Sequence, residues 1–312
     1  FVTYEWEGTP EIVEMLEVAV GGAERLRSRP TAIVYLNPTS GFRHNEEALR
    51  KLMYVAERHL PCVYWPEVGR GLTCPITFAG GMACSNAGHL VGLVIAQLVS
   101  EGAPVTLCTA MPFTLDMQTM VVPYADPDCK AYALEMSRYY NVPSFNWGGM
   151  SDSKLLDEQA VMEAALTLFA ATLSGGNLIH DIGYLESGLT GSAELVVICD
   201  EIISWLKAYV KRLEISEETL ALDLIHDHGL RGDFLETAHT LRHVREDWQP
   251  RLVDRQNYAT WHESGALSMR DKARAKIDEI LGQEPERILP PEIEQEIEDI
   301  AQRAIAAQTE KG

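Results

Sequence analysis

Short apolar segments alternate with helical patterns over the first two thirds of the sequence, and this alternation limits the possible folds more than any other feature. Strands are predicted at residues 2–6, 32–36, 62–65, 104–109, 142–147 and 177–179. Helices are predicted at residues 10–27 (with Thr9 as N-cap), 45–59, 82–100, 128–140 and 155–173, and again after residue 192. A repeated strand–helix–strand order requires parallel strands joined by right-handed crossovers.

Two folds fit such a repeat, a doubly wound sheet and a (β/α)8 barrel. No G-x-G-x-x-G follows a predicted strand, which argues against the dinucleotide-binding form of the doubly wound sheet. A barrel typically needs about 250 residues in eight units. The sequence starts without Met, inside a predicted strand. We therefore predict an α/β TIM-type barrel whose N-terminal strands are missing from this chain.

The alternation stops near residue 214. Charged helical patterns follow at residues 217–228, 233–246, 268–282 and 291–308. We predict that residues 1–213 hold the βα units of the barrel and that residues 214–312 form a closing segment with a helical C-terminal extension. Such a tail, together with long buried helices, is compatible with a homo-oligomer.

Charge and cysteine usage restrict the partners and the compartment. A formal net charge of −20 argues against nucleic acid and anionic membrane surfaces. Six cysteines without a C-x-x-C pair favour free thiols in a reducing cytoplasm. The most apolar window, residues 82–100, carries Ser85, Asn86, His89 and Gln97, so it is predicted to be a buried helix and not a membrane span. No signal peptide is visible, and a cytoplasmic protein is expected.

The segment GGNLIHDIGYLESGLTGS, residues 175–192, concentrates reactive side chains behind a predicted strand. His180, Asp181, Tyr184 and Glu186 fall within seven residues, between glycines. In parallel α/β folds the loop after a strand carries the chemistry. His180, Asp181 and Glu186 are the catalytic candidates. The alternative is an ordinary turn whose polar residues cap the next helix.

Aromatic and polar residues also stand at further predicted strand ends. They are Trp6, Trp65, Glu67, Asn146 and Trp147, and Tyr184 joins them from the loop above. Tryptophan binds cations through its ring face, with about 0.5–2 kcal/mol depending on desolvation. We predict that these residues bind a ligand carrying a quaternary or tertiary ammonium. The alternative is that the rings plug the barrel rim as core.

Metal and hydrolase signatures are weak. His239 and His243 have helical i, i+4 spacing, but H-E-x-x-H is absent, because Thr240, Leu241 and Arg242 intervene. A surface hydrogen-bonding role is favoured and no bound metal is expected. No G-x-S-x-G or P-loop occurs. A Schiff-base lyase needs a lysine at a strand end, and Lys154 lies in a loop.

Four separated motifs resemble the trimethylamine methyltransferase family of corrinoid-dependent methyltransferases. They are GGNLIHDIGYLESGLTGSAELVVICDEI, GMACSNAGHLVGLVIAQLVSEGAPV, Asp152-Ser153-Lys154 and HTLRHVREDWQPRLVDR. The similarity covers nearly the whole chain and is strongest up to Arg255. The resemblance implies a (β/α)8 barrel, a longer N-terminus, and methyl transfer from a methylated amine to the Co(I) of a separate corrinoid protein.

The resemblance also bears on the substrate. One branch of the family demethylates trimethylamine and carries pyrrolysine, and a wider branch without it acts on glycine betaine and similar quaternary amines. This sequence contains standard residues only, which indicates the second branch. Within that branch, carnitine, proline betaine and choline stay open as donors. A trimethylamine-type donor and a non-catalytic amine-binding protein of the same fold stay open as well.

The physical chemistry agrees with a quaternary amine. The ammonium is already a charged leaving group, so methyl transfer releases a neutral amine without an obligatory general acid. The protein must bind and orient the cation, exclude water and dock its corrinoid partner. The predicted site then uses Trp6, Trp65, Trp147 and Tyr184 as an aromatic cage and Glu67 as the balancing charge. His180 and Asn146 hold a substrate carboxylate or hydroxyl.

Overall fold

The computed structural model describes residues 1–3, 5–108, 113–126, 134–229 and 232–309. Its strands are β1 (Val34–Leu36), β2 (Cys62–Tyr64), β3 (Gly69–Arg70), β4 (Val105–Cys108), β5 (Phe113–Thr114), β6 (Ser144–Trp147), β7 (Leu178–His180), β8 (Tyr184–Leu185) and β9 (Thr190–Gly191). Its helices up to residue 209 are α1 (Gly8–Val20), α2 (Ala23–Ser28), α3 (Glu46–Glu57), α4 (Phe78–Val99), α5 (Glu135–Tyr140), α6 (Glu158–Ser174) and α7 (Ala193–Tyr209). The later helices are α8 (Glu217–Leu220), α9 (Leu222–His228), α10 (Ala238–His243), α11 (Tyr258–Glu263), α12 (Met269–Leu281) and α13 (Pro291–Thr309).

Five strands form one parallel sheet in the order β1–β2–β4–β6–β7. Spatial order follows chain order, and helices α3, α4 and α6 lie in the connections between its strands. A doubly wound sheet reverses its strand order at a switch point. This sheet has no such reversal, so it is consistent with part of a barrel. The α/β class, the parallel strands and the helical C-terminal segment are as predicted.

The start of the chain differs from the prediction. Residues 2–6, apart from Tyr4, which lies outside the described residues, form no strand. Of the described residues before α1, only Phe1 pairs with the sheet: its N–H donates to the Ile33 carbonyl (2.7 Å) and its carbonyl accepts from the Tyr35 N–H (2.8 Å). The chain then turns directly into α1.

The predicted helix over residues 10–27 is two helices. Gly21 and Gly22 adopt positive φ angles (87° and 121°), a conformation that ends α1 and separates it from α2. Thr9 is not the N-cap, because α1 begins at Gly8. Its buried hydroxyl pairs with the Thr3 hydroxyl instead (2.6 Å). Residue 109 and residues 128–133, the predicted end of a strand and start of a helix, lie outside the described residues.

Alternation along the strands gives the sheet two different faces. Cys62 and Tyr64 of β2 pack in an outer cluster with Leu52 of α3 and Ala96 of α4. Val63 and the next residue of the same parity, Trp65, pack on the inner face, with Tyr35, Phe145 and Trp147. The outer face therefore forms the helix-covered core, and the inner face carries the large aromatic residues.

Helix α4 is long and apolar enough to cross a membrane by length and composition. In the structure it packs on α3, β2 and β4. Its buried residues are small or polar: Gly81, Ser85, Gly88, His89, Gly92 and Ala96. A Cβ at Gly92 would lie 2.1 Å from the Tyr64 ring, so the close approach to the sheet requires glycine. The prediction of a buried helix holds for one face only: 28% of its most apolar window is buried, and Val94 and Leu98 are exposed.

The C-terminal segment packs back onto the βα units. Helix α12 lies on α7, and α13 lies on α1, where Arg303 pairs with Glu14 (2.8 Å). Buried Glu201 of α7 accepts three backbone N–H bonds at 2.8–3.1 Å, from Arg251, Leu252 and Val253. These contacts fix the chain beyond the last βα unit to the helical layer.

Candidate functional site

Aromatic side chains from four strands of the sheet and one loop meet on the inner face, toward its carboxyl edge. We call this group the inner aromatic cluster: Tyr35, Trp65, Tyr124, Phe145, Trp147 and His180. Parallel strands bring their carboxyl ends to one edge, and alternation puts Phe145, Trp147 and His180 on the same face. Three of the predicted site residues, Trp65, Trp147 and His180, are thus brought together.

The rings of the cluster contact one another in defined orientations. Trp65 and Trp147 meet edge to face, with ring centroids 4.9 Å apart. His180 stacks on Phe145 (4.2 Å), and Tyr124 stacks on Trp147 (6.0 Å). Edge-to-face and stacked pairs are the favoured arrangements for aromatic side chains. The cluster is therefore a rigid apolar wall with one imidazole in it.

His180 is oriented by its neighbour Asp181. Its Nδ1 lies 2.7 Å from Asp181 Oδ1. Asp181 has a positive φ (67°), which is strained for a non-glycine residue and turns the carboxylate back toward the ring that precedes it. Because a carboxylate accepts, Nδ1 donates, and Nε2 is the atom available for chemistry. Nε2 is buried and has no hydrogen-bond partner among the residues that the structure describes.

Tyr124 completes the arrangement, and no pattern in the sequence pointed to it. Its hydroxyl donates to Asp181 Oδ2. Burial raises the pKa of this phenol above its usual value, and the Asp181 carboxylate raises it further. The phenol therefore stays protonated and donates. Asp181 thus accepts from both Tyr124 and His180.

Asp152 ties two loops of the site together. Its Oδ1 accepts from the Tyr124 N–H (2.7 Å) and from the Ser187 hydroxyl (2.8 Å), and its Oδ2 accepts from the Ala125 N–H (3.1 Å). Asp152 belongs to a triplet that matched the family resemblance, but it follows β6 by five residues and was not predicted as a site residue. Lys154 in the same triplet donates to the Asp152 carbonyl (2.9 Å).

Trp65 belongs to the cluster, and Glu67, two residues further along the chain, lies close enough to Tyr124 to contribute to the raised pKa of its phenol. Burial raises the pKa of Glu67 above its usual value, and a hydrogen bond with Asn37 opposes this shift. Trp65 is 8% exposed, and its Nε1 has no hydrogen-bond partner in the described part of the chain. A buried polar atom left unpaired costs free energy. Trp65 Nε1 and His180 Nε2 are therefore atoms that a ligand can satisfy.

The structure places the remaining predicted residues elsewhere. Trp6 packs edge to face on Tyr54 of α3 (5.3 Å), on the helical side. Asn146 pairs in register with Ile179, which packs among the residues of α6 and α7, so its side chain lies on the face opposite Phe145 and Trp147.

Tyr184 and Glu186 lie in the β8–β9 hairpin. Tyr184 is 40% exposed. Glu186 has a positive φ (52°), and its carboxylate accepts from the Thr190 hydroxyl (3.0 Å). Gly183 shapes this loop, because it has a φ of 88° and a Cβ there would lie 2.3 Å from Val196. The hairpin lies beside the cluster without contributing a ring to it.

Fold and site define an α/β protein with a sequentially ordered parallel sheet and an aromatic, histidine-containing site at its carboxyl edge. Over residues 2–308 the sequence matches the trimethylamine methyltransferase (MTTB) family. The chain belongs to this family.

Curated relatives carry two names. A glycine betaine methyltransferase of Desulfitobacterium hafniense (strain Y51) is 32% identical over 303 residues, which cover 95% of this chain and 63% of the relative. A trimethylamine methyltransferase MttB of D. hafniense (strain DSM 10664 / DCB-2) is 32% identical, over 91% of this chain and 58% of the relative. A trimethylamine methyltransferase MttB of Methanosarcina barkeri (strain Fusaro / DSM 804) is 31% identical, over 84% of this chain and 53% of the relative. The chain thus spans little more than half to under two thirds of these relatives.

Proposed function

We propose that this chain is the larger part of a methyltransferase that moves a methyl group from a methylated amine, a quaternary amine such as glycine betaine, to a separate corrinoid protein. Family membership supports the reaction class. The observation that carries the proposal is the buried His180 Nε2, oriented through Asp181 and set among aromatic rings. In such a site the aromatic ring faces bind the ammonium group of a ligand. The imidazole, which is held in one orientation, binds the polar end of the same ligand.

The roles of the residues follow from their positions. Trp65, Trp147 and Tyr124 bind the ammonium against their rings, and Glu67 balances its charge when ionised. Trp65 Nε1 and His180 Nε2 bind the carboxylate of the amine. With Nδ1 donating to Asp181, Nε2 donates to a ligand when the ring is protonated. Trp6, Asn146, Tyr184 and Glu186 have no assigned part in this geometry.

The corrinoid belongs to the partner protein, so this chain needs to admit it and not to ligate it. The bound corrinoid supplies a nucleophilic cobalt that accepts the methyl group. No residue of the inner aromatic cluster is needed as a cobalt ligand. The task of this chain is to orient the methyl group, to exclude water behind the rings and to leave one side of the site open to the partner.

Calorimetry on the protein at its natural length tests the proposal, with glycine betaine, carnitine, choline and trimethylamine as ligands. Tight binding of glycine betaine, followed by methyl transfer to a reduced corrinoid protein, is expected. Preference for trimethylamine would support the second donor class. Binding without methyl transfer would support a non-catalytic binding protein. If none of the four ligands binds, the proposed amine-binding site is wrong.

Fold and compartment are part of the same proposal. We propose that further strands of the natural chain complete an eight-stranded barrel beside β1 and β7, which are the edge strands of the described sheet. Sequential strand order supports this. A structure at natural length would show new strands paired to both edges.

We further propose a cytoplasmic location and a homo-oligomer, to be tested by fractionation and by light scattering.

A further inference from the structure

A second group of ligand-bearing side chains lies in the C-terminal segment, far along the chain from the inner aromatic cluster. Glu218 of α8 lies beside His239 and His243 of α10. One carboxylate oxygen and one ring nitrogen from each histidine all lie within 4.8 Å of one another. The spacing of His239 and His243 in the sequence puts their imidazoles on one side of α10. The Glu218 carboxylate comes close to them only through the packing of α8 against α10.

We propose that Glu218, His239 and His243 form a binding site for a divalent cation of the zinc type. Two imidazole nitrogens and one carboxylate oxygen are a ligand set that zinc takes in proteins, with further positions left to water or another ligand. An open cleft of about 550 Å³, lined in part by Glu217, Glu218 and His239, adjoins the group and leaves room for those positions.

The surroundings of the two histidines support this assignment. His243 Nδ1 lies 2.8 Å from Glu246 Oε1, so Nδ1 donates and Nε2 is directed to Glu218, 3.3 Å from its Oε1. A carboxylate behind a metal-binding histidine fixes its tautomer in this way. His239 Nε2 donates to the Glu218 carbonyl (3.1 Å), which holds this ring beside α8.

One contact opposes the cation. Arg242 Nη2 donates to Glu218 Oε1 at 2.6 Å, so its guanidinium competes for the carboxylate. The group is also partly exposed to solvent. We therefore expect weaker binding than at a buried zinc site, and the consequence of binding is to cross-link α8 to α10.

Titration of chelator-treated protein with ZnCl2 by calorimetry tests the site. One equivalent is expected to bind, and Glu218→Gln and His243→Ala are expected to weaken binding at least about tenfold. His226→Ala is the matched control, since His226 is an exposed histidine on neighbouring α9 and outside the group, and it should bind as the wild type does.

Cobalt(II) absorption of the wild-type protein is the second measurement, and it does not depend on how variants fold. Ligand-field bands that appear with one equivalent of CoCl2 and vanish on addition of ZnCl2 are expected. Absence of saturable zinc binding would overturn the proposal. So would binding that persists unchanged in the doubly substituted His239→Ala, His243→Ala protein.

Discussion

The Tyr124 hydroxyl donates a hydrogen bond to the carboxylate of Asp181, 57 residues further along the chain. The same carboxylate holds His180, so a residue from the loop after β5 contributes to the orientation of the imidazole on β7.

Under the proposed function, Tyr124→Phe should therefore reduce turnover of the methylated amine while keeping the ring stack on Trp147. Hydrogen bonds to charged groups contribute about 1.5–3 kcal/mol, so a loss of kcat/KM of about 10- to 150-fold is expected. Steady-state kinetics measures it. Tyr139→Phe is the control, because Tyr139 is 81% exposed. Full activity in Tyr124→Phe would show that Asp181 alone orients His180.

Under the proposed function, Trp147→Leu should weaken binding of a quaternary amine roughly 2–30-fold, the factor that corresponds to one cation–π contact of about 0.5–2 kcal/mol. Calorimetry measures the affinity, and circular dichroism checks the fold. Trp205→Leu is the matched control, since Trp205 lies on α7, is 55% exposed and stacks on Trp248. Equal affinities for all three proteins would identify Trp147 as core and not as part of a cage.

Asp152→Asn should lower the free energy of unfolding by on the order of 2 kcal/mol, because an amide replaces a charged acceptor of three hydrogen bonds. Denaturant unfolding gives the value, and limited proteolysis should show faster cleavage near residues 124 and 187. Asp116→Asn is the control, since Asp116 accepts only within its own exposed turn, from Gln118 and Thr119. Similar effects of both substitutions would show that the hydrogen bonds of Asp152 to the loops at residues 124–125 and 187 do not specifically stabilise the fold.

His89 should make the stability depend on pH. Burial lowers the pKa of this histidine from 6.5 to about 4. Between these values the unfolded chain binds a proton that the folded chain does not, so the free energy of unfolding falls as pH falls through this window. The full loss in the free energy of unfolding is on the order of 3 kcal/mol and is reached below the folded-state pKa of about 4. Above the unfolded-state pKa of 6.5 there is no such loss.

His89→Gln removes this contribution. The difference in unfolding free energy between wild type and variant, measured by urea titration, should therefore change between pH 7 and pH 4. Stability is expected to fall less steeply with acid in the variant. A difference that stays constant over the window would show that His89 is not buried in its neutral form.

The fold was predictable where single segments decide it. A continuous apolar run indicated β2, because a strand covered on both faces needs no alternation. In β6, Ser144 and Asn146 alternate with Phe145 and Trp147, and this period of two also indicated a strand. The prediction for residues 2–6 was wrong, since only Phe1 reaches the sheet edge. The two-residue pairs β3–β5 and β8–β9 are too short to leave a pattern.

The site was predictable only in part. Successive residues of a strand point to opposite faces of the sheet, so a residue at a strand end joins the site only if it lies on the inner face. Trp147 and His180 share a face, but Asn146, one residue before Trp147, lies on the opposite one. Tyr124 and Asp152 stand in loops whose positions no spacing rule gives. Glu218 meets His239, 21 residues further along the chain, only through the packing of two helices.

The inner aromatic cluster draws its members from several βα units: Tyr35 from the first described strand, Trp65 from the end of the second, Phe145 and Trp147 from the fourth, His180 from the fifth strand of the sheet, and Tyr124 from a loop. Helices α3 and α4 cover the outer face of these strands, on the side opposite the cluster. An exchange of one inner residue or one loop thus alters one wall of the site and leaves the helix-covered core unchanged. Under the proposed function, the choice of methyl donor can therefore change one βα unit at a time, while the scaffold is kept.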